Sequence, residues 1–219
     1  VKVIGASNVL SLTGDTDLLA GFYRERIRIV TRELSVESLF VSLGLLAIEE
    51  FVVNSDKRCY ICKKELFTRL KAEAASHGCK TVMDGSSIDD LNESRPGLIA
   101  AAETGIVHPF IEARMGRNDI ARMGAFLGIR EEDHPSDSCL ATRIPRGERI
   151  NAELLHLIEK MEAPLRALVK GRFRVRTGTG RLLVDYSSVD KKLIHIYLKQ
   201  LKRIAEESGY KIRLHQLDR

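Results

Sequence analysis

Three of the four cysteines stand where a thiol could do chemistry. Cys59 and Cys62 form a Cys-x-x-Cys pair near the start of a predicted helix, a spacing found in redox dithiols, zinc sites and iron–sulfur sites. A four-cysteine zinc site needs a second pair, which the sequence lacks. Cys79 begins an apolar run and is predicted to pack in a core, whereas Cys139 lies in a polar stretch where a small apolar side chain has no packing role.

Cys59, Cys62 and Cys139 are therefore candidate ligands of a metal or cluster. Three thiolates leave one position open, which is typical of a catalytic rather than a structural site. The alternative is a solvent-facing dithiol with an unrelated loop cysteine. Arg143 and Arg146 follow Cys139 closely, and an electropositive surround favours the thiolate form of a cysteine.

A row of arginines is the second candidate site. Arg172, Arg174 and Arg176 alternate along a predicted strand, so their side chains share one face. Paired guanidinium donors suit phosphate or carboxylate, while the alternative is a solvated edge strand guarded by charge. Glu162, on the preceding helix, could balance one of these arginines or contact a substrate cation; it could equally be an ordinary surface glutamate.

A polar, glycine-containing loop follows a predicted strand at residues 81–83. In open α/β sheets, ligands bind where strands end in such loops. Carboxylate oxygens suit Mg²⁺ held together with nucleotide phosphates, and Asp84, Asp89 and Asp90 could supply them. The helix that begins near Arg117 could direct its N-terminal N–H groups at a phosphate. The alternatives are loop caps and an ordinary helix start.

Composition restricts the class of protein. The 219 residues are 44% hydrophobic and 30% charged, with a net charge of +5, which is compatible with an anionic ligand. With 5% aromatic residues the sequence does not predict a nucleic-acid-binding surface. No run approaches the roughly 18 apolar residues of a membrane span, no signal-peptide pattern is found, and four irregularly spaced cysteines do not form a secreted disulfide framework. We expect a cytoplasmic protein without membrane contact.

Strand and helix patterns alternate through residue 130, which predicts an α/β domain with a doubly wound parallel sheet at residues 1–145. A smaller α+β domain is predicted at residues 146–219. Predicted strands in the first domain cover residues 1–6, 27–30, 81–83 and 105–110, and predicted helices cover residues 35–48, 59–77, 96–102 and 117–127. The second domain is predicted to contain a helix at 152–169, a hairpin at 172–185, a helix at 188–207 and a strand at 210–214.

Four segments together resemble the LarE-type ATP-dependent sulfur transferases of the PP-loop ATP pyrophosphatase superfamily. The segments, in collinear order, are CYICKK (59–64), DGSSIDDLNESRPG (84–97), CLATRIP (139–145) and FRVR (173–176). The resemblance spans roughly residues 50–185. It implies an adenine nucleotide alpha hydrolase-like first domain that adenylates a carboxylate with ATP and Mg²⁺, and a second domain that helps to bind the substrate.

In that family the substrate is a pyridinium dicarboxylate mononucleotide, the precursor of a nickel-pincer cofactor. Sulfur replaces AMP to give a thiocarboxylate. Cys139 matches the sulfur-handling cysteine, and members that also carry the Cys-x-x-Cys pair are thought to bind a [4Fe–4S] cluster through all three thiolates and to pass on a cluster-bound sulfide. The resemblance therefore assigns Cys59, Cys62 and Cys139 to a cluster.

The resemblance also assigns the remaining candidates. It gives substrate-binding roles to Arg143, Glu162, Arg174 and Arg176. We place the nucleotide on the loop and helix named above, at Asp84, Gly85, Ser86, Asp89, Asp90 and Arg117, and we expect a homo-oligomer.

The superfamily's Ser-Gly-Gly-x-Asp-Ser loop is not found among these residues, and we expect it to precede Val1. Two other functions stay open. One is a tRNA thiolase of the same superfamily. The other is a non-catalytic iron–sulfur or metal-binding module that has lost its ATP site.

Overall fold

The computed structural model describes residues 1–92, 96–129, 138–178 and 180–217. They form two compact units that are discontinuous along the chain. The first unit comprises residues 1–15, 31–45 and 56–132, and the second comprises residues 16–30, 46–55 and 133–219. The division thus differs from a single boundary near residue 145, because two early segments join the second unit.

The helices and strands follow one another as the mixed pattern of an α/β protein. The helices are α1 (Gly21–Glu33), α2 (Glu49–Val52), α3 (Arg58–Ser76), α4 (Pro96–Thr104), α5 (Pro109–Glu112), α6 (Arg117–Phe126), α7 (Ala152–Arg166) and α8 (Lys191–Glu207). The strands are β1 (Leu10–Asp15), β2 (Glu37–Ser42), β3 (Phe173–Gly178), β4 (Arg181–Ser187) and β5 (Lys211–Leu217). Within the described ranges, no helix is both long enough and apolar enough to cross a membrane.

Parallel strand pairing defines the first unit. β1 pairs with β2 in parallel, and α3 packs on them so closely that a Cβ on Gly14 would lie 2.5 Å from Leu66 Cδ1. A separate parallel bridge joins Met83 to Val107, and Asp84 N–H donates to Val107 O. The α/β class with parallel strands is confirmed, while the larger doubly wound sheet stays a prediction.

The second unit contains a three-stranded sheet with α7 and α8 on one face. The strand order is β3-β4-β5, with β3 antiparallel and β5 parallel to β4. Alternate residues of β3 and β4 enter a core shared with α7 and α8, which includes the fully buried Met161, Leu165, Val175, Leu182 and Val184. The predicted α+β character, the hairpin and the two long helices are confirmed.

Three predicted elements near the N-terminus are wrong. Residues 27–30 have alternating β-branched side chains, yet they continue the hydrogen bonds of α1. Ser35 was expected to begin a helix but has φ 54°, and Ser35 and Val36 N–H donate back to Arg32 and Thr31 O. Ser35 therefore ends α1 as a left-handed residue, and β2 follows instead of a helix. Residues 1–6 form turns rather than a strand.

Candidate functional site

Cys139 is held at the start of a single 3₁₀ turn. The turn covers Leu140–Arg143, and its first N–H, on Leu140, donates to Leu18 O at 3.0 Å. The N–H and hydroxyl of Thr142 both donate to Cys139 O, at 3.0 and 2.8 Å. The backbone of Cys139 is thus fixed, while the residue itself is exposed. Residues 130–137, the polar loop predicted before it, lie outside the described residues, as does Arg95.

A buried ion pair lies behind this turn. The Arg143 and Glu162 side chains are 0% and 1% exposed, with Nε and Nη2 of Arg143 donating to the two carboxylate oxygens at 3.0 and 3.1 Å. Arg143 Nη1 also donates to Ser138 O at 2.9 Å and to Thr142 Oγ1 at 3.0 Å. Arg143 therefore uses one end to anchor on α7 and the other to hold the segment that carries Cys139.

A second arginine completes the pair's surroundings. Arg166, one turn after Glu162 on α7, donates to Glu162 Oε2 and lies 5.6 Å from the ring centroid of Tyr23. Glu162 Oε1 also accepts from Val175 N–H at 2.7 Å. A buried carboxylate is tolerated only when such donors satisfy it. The geometry gives Arg143 and Glu162 a positioning role; their predicted contact with substrate stays a prediction.

The arginine strand reaches the same turn. Arg176 donates from Nε to Asp185 Oδ2 at 2.8 Å and from Nη1 to Thr142 O at 3.0 Å. Arg174 is half-buried on the same face of β3, whereas Arg172 precedes the strand and is exposed. The structure thus brings Arg176, Arg143 and Cys139 together within the second unit, as the sequence suggested. A substrate phosphate on Arg174 and Arg176 stays a prediction.

The Cys-x-x-Cys pair opens α3 in the first unit. Cys59 and Cys62 are half-buried, and Arg58 Nη2 lies 3.8 Å from Cys59 Sγ. The intervening Tyr60 donates its hydroxyl to Glu103 Oε2 at 2.7 Å, which ties the start of α3 to α4.

The loop at Asp84 is organised by its first carboxylate. Asp84 accepts from Ser86 N–H at 3.0 Å and Ser86 Oγ at 3.1 Å, and it contacts His108 Nδ1 at 2.7 Å. Burial by itself raises the pKa of Asp84, but the hydrogen bonds from Ser86 and His108 outweigh burial and lower the pKa below its usual value. Gly85 lies between these residues with open space around it.

The two later carboxylates of this loop cap local structure. Asp89 Oδ2 accepts Arg117 N–H at 2.6 Å, and Asp90 Oδ2 accepts Ser87 N–H at 2.8 Å. The first N–H of α6, expected to face a phosphate, therefore faces Asp89 instead. A nucleotide phosphate at this helix end would compete with that carboxylate, so the capping alternative describes the observed geometry. Nucleotide binding by the loop stays a prediction.

Across the described ranges, no three His, Cys, Asp or Glu side chains are arranged to hold a metal ion. Cys59 and Cys62 belong to the first unit and Cys139 to the second. Their convergence on a cluster, and a Mg²⁺ site at Asp84, Asp89 and Asp90, stay predictions.

Three residues that hydrogen-bond to the side chains of these two sites were not predicted from the sequence. Arg166 could have been found, because it lies four residues after Glu162 on a predicted helix. Asp185 and His108 are distant in sequence from Arg176 and Asp84, and only the pairing of strands brings each carboxylate to its partner.

Comparison with known proteins identifies relatives of this chain. No family model matches the chain. The chain is 33% identical over 171 residues to an uncharacterized protein of Methanocaldococcus jannaschii, covering 78% of this chain and 67% of that protein. It is 31% identical over 205 residues to an uncharacterized protein of Synechocystis sp., covering 93% and 76%. It is 26% identical over 176 residues to the pyridinium-3,5-bisthiocarboxylic acid mononucleotide synthase of Lactiplantibacillus plantarum, covering 80% and 64%.

The chain belongs to one family with the M. jannaschii and Synechocystis proteins. The synthase is a more distant relative, and its name describes an enzyme that makes a bisthiocarboxylic acid mononucleotide. The resemblance to LarE-type sulfur transferases is thereby confirmed at a coarse level, as a distant relationship.

Proposed function

We propose that this chain is an ATP-dependent sulfur transferase of LarE type that acts in the biosynthesis of a nickel-pincer nucleotide cofactor. The reaction adenylates a carboxylate of a pyridinium mononucleotide, releasing pyrophosphate, and then replaces AMP by sulfur to give a thiocarboxylate. The similarity to a synthase of a bisthiocarboxylic acid mononucleotide supports the substrate class.

The observation that carries the proposal is the setting of Cys139. An exposed thiol stands at the start of a turn whose backbone is fixed by the buried Arg143–Glu162 pair. A cysteine that holds the sulfide donor must bring it within reach of the activated carbonyl and keep it in place, because misplacement costs much of the rate. Arg176, which bonds the same turn at Thr142, could direct an anionic substrate towards this thiol.

The chemistry of the donors fits an iron–sulfur cluster. Cys59 and Cys62 are half-buried and Cys139 is exposed, so none of the three is fully buried. When bound, a cluster held by these three thiolates would present a sulfide ion taken up from solution as the nucleophile, so no carbon–sulfur bond of the protein would be broken. The three thiolates would hold the cluster and leave one coordination position open. Arg174 and Arg176 would position the substrate anion, and Arg143 would keep the Cys139 turn rigid.

The carboxylates of the first unit fit Mg²⁺ less directly. Asp89 and Asp90 are engaged as caps, which leaves Asp84 as the carboxylate whose lowered pKa keeps it ionised at neutral pH. We propose that Asp84 and Ser86 contact the nucleotide side of the site. An assembly of identical copies is part of the same proposal and is measured by light scattering.

The test is anaerobic purification followed by an assay. The wild-type protein should contain iron and absorb visible light. With MgATP, sulfide and a pyridinium dicarboxylate mononucleotide, it should release AMP and give a product in which sulfur replaces oxygen, seen by mass spectrometry. Cys139→Ala should lose iron and product together, because it removes one ligand of three and the thiol at the transfer site.

Cys79→Ala is the matched control. Cys79 lies after α3, away from the Cys-x-x-Cys pair in sequence, and its replacement should leave iron content and turnover unchanged. If Cys139→Ala keeps full iron content, the three-thiolate assignment is wrong. If the wild type releases no AMP in the presence of substrate, the adenylation chemistry is wrong.

A further inference from the structure

The sheet of the second unit has one basic face. Residues of β3 and β4 that point to α7 and α8 are apolar and buried, whereas the residues between them are polar or half-buried. On β5 the basic residues Lys211, Arg213 and His215 are exposed and alternate with Ile212 and Leu214, which pack against the core. The face opposite the helices therefore carries six basic residues: Arg174, Arg176, Arg181, Lys211, Arg213 and His215.

One carboxylate organises this face. Asp185 is in register with Arg174 on β3 and with His215 on β5, so the three residues form a row across the sheet. The Asp185 side chain is 8% exposed; its Oδ1 lies 2.8 Å from His215 Nδ1, and its Oδ2 accepts from Arg176 Nε at 2.8 Å. Asp185 thus holds an imidazole and a guanidinium at once, one on each side of β4.

We propose that His215 is a further binding residue for the anionic end of the substrate, completing a phosphate site with Arg174 and Arg176. The inference rests on the proposed function, which places a substrate phosphate on the two arginines. An ionised carboxylate only accepts hydrogen bonds. Nδ1 of His215 therefore carries a hydrogen and donates a hydrogen bond to Asp185. The second ring nitrogen, Nε2, then donates to an anion when the imidazole is protonated.

Arg176 and His215 share Asp185 as a partner, each at 2.8 Å. The face collects six basic side chains against the one carboxylate in the row, and a doubly charged phosphate monoester would offset their mutual repulsion.

The experiment is calorimetric titration of the wild-type chain and His215→Gln with nicotinate mononucleotide, and with nicotinate riboside, which lacks the phosphate. At pH 6, His215→Gln should bind the mononucleotide about tenfold more weakly than the wild type, because a donor to the phosphate is lost. Riboside binding should be the same for both.

His195→Gln is the matched control, since His195 is an exposed histidine on α8, the helix on the other side of the sheet. It should behave as the wild type with both ligands, and circular dichroism should show that both variants are folded. Equal mononucleotide affinity of wild type and His215→Gln at pH 6 would overturn the role of His215 alone. If the wild type shows no preference for the phosphate-bearing ligand, the phosphate site itself is wrong, and with it the substrate placement in the proposed function.

Discussion

Replacing Glu162 by Gln tests whether the buried ion pair organises the site. The change keeps the size of the side chain but removes its charge. In the folded chain the carboxylate accepts two hydrogen bonds from Arg143, one from Arg166 and one from Val175 N–H. The side chains of Arg143, Glu162 and Arg166 are at most 6% exposed, so water does not replace the hydrogen bonds that are lost.

The magnitude follows from these four contacts. A Gln amide keeps one oxygen, and its NH₂ group would face donors, so at least the two bonds at one oxygen are lost. Hydrogen bonds to charged groups are worth about 1.5–3 kcal/mol each, and breaking a buried pair typically costs about 3–5 kcal/mol. We therefore expect Glu162→Gln to lower the free energy of unfolding by about 3–5 kcal/mol, a large part of the roughly 5–15 kcal/mol typical of a domain.

Urea unfolding followed by circular dichroism is the assay, because the chain has no Trp for fluorescence. Glu206→Gln, an exposed position on α8 in the same unit, should change the free energy by less than about 0.5 kcal/mol. The rate of Cys139 alkylation by iodoacetamide should rise in Glu162→Gln, since Arg143 no longer holds its segment. A loss below about 1 kcal/mol with an unchanged alkylation rate would refute the positioning role.

The remaining predictions concern packing, acid stability and substrate affinity. Gly14→Ala should destabilise the first unit by about 1–3 kcal/mol, as its Cβ would meet Leu66 at 2.5 Å, while Gly85→Ala, in open space, should be tolerated; urea unfolding compares them. Since the folded pKa of Asp84 is lowered, its stabilisation is complete above the unfolded pKa of about 3.9 and disappears as pH falls through the folded pKa. The stability gap between wild type and Asp84→Asn should therefore shrink between pH 5 and pH 2, and a constant gap would contradict the assignment. Arg176→Ala should weaken substrate binding by about one to two decades with ATP affinity unchanged in calorimetry, and equal losses of both would show that the two ligands share a site.

Residues 152–217 of the second unit were largely predictable, since their elements have strong local signals. The apolar period of α7, the alternation of β3 and the glycine between the hairpin strands all agree with the structure. The prediction of a helix starting at Ser35 was wrong because a non-glycine residue takes the left-handed conformation that ends α1. With no glycine to mark the end of that helix, residues 35–48 were assigned a helical start.

The candidate site was predictable in its residue types and less so in its roles. Spacing and the family resemblance together singled out Cys139, Arg143, Glu162 and Arg176, and the structure places all four around one turn of the second unit. Whether an arginine faces solvent or a buried carboxylate depends on tertiary packing, which the spacing does not encode. The capping of α6 by Asp89 is a similar case, because the partner lies 28 residues away.

The two edge strands of the second unit's sheet differ in how they resist pairing with a strand of another molecule. On β3, Glu162 already occupies the N–H of Val175, a group that an added strand could use. On β5, the basic residues Lys211, Arg213 and His215 would lie opposite the same residues of a second copy if two copies paired edge to edge, and their like charges would repel. That repulsion extends about 10 Å at 0.1 M salt but only about 3 Å at 1 M. Concentrated salt, which rescues many basic proteins from precipitating with polyanions, would here remove the protection against self-pairing along β5.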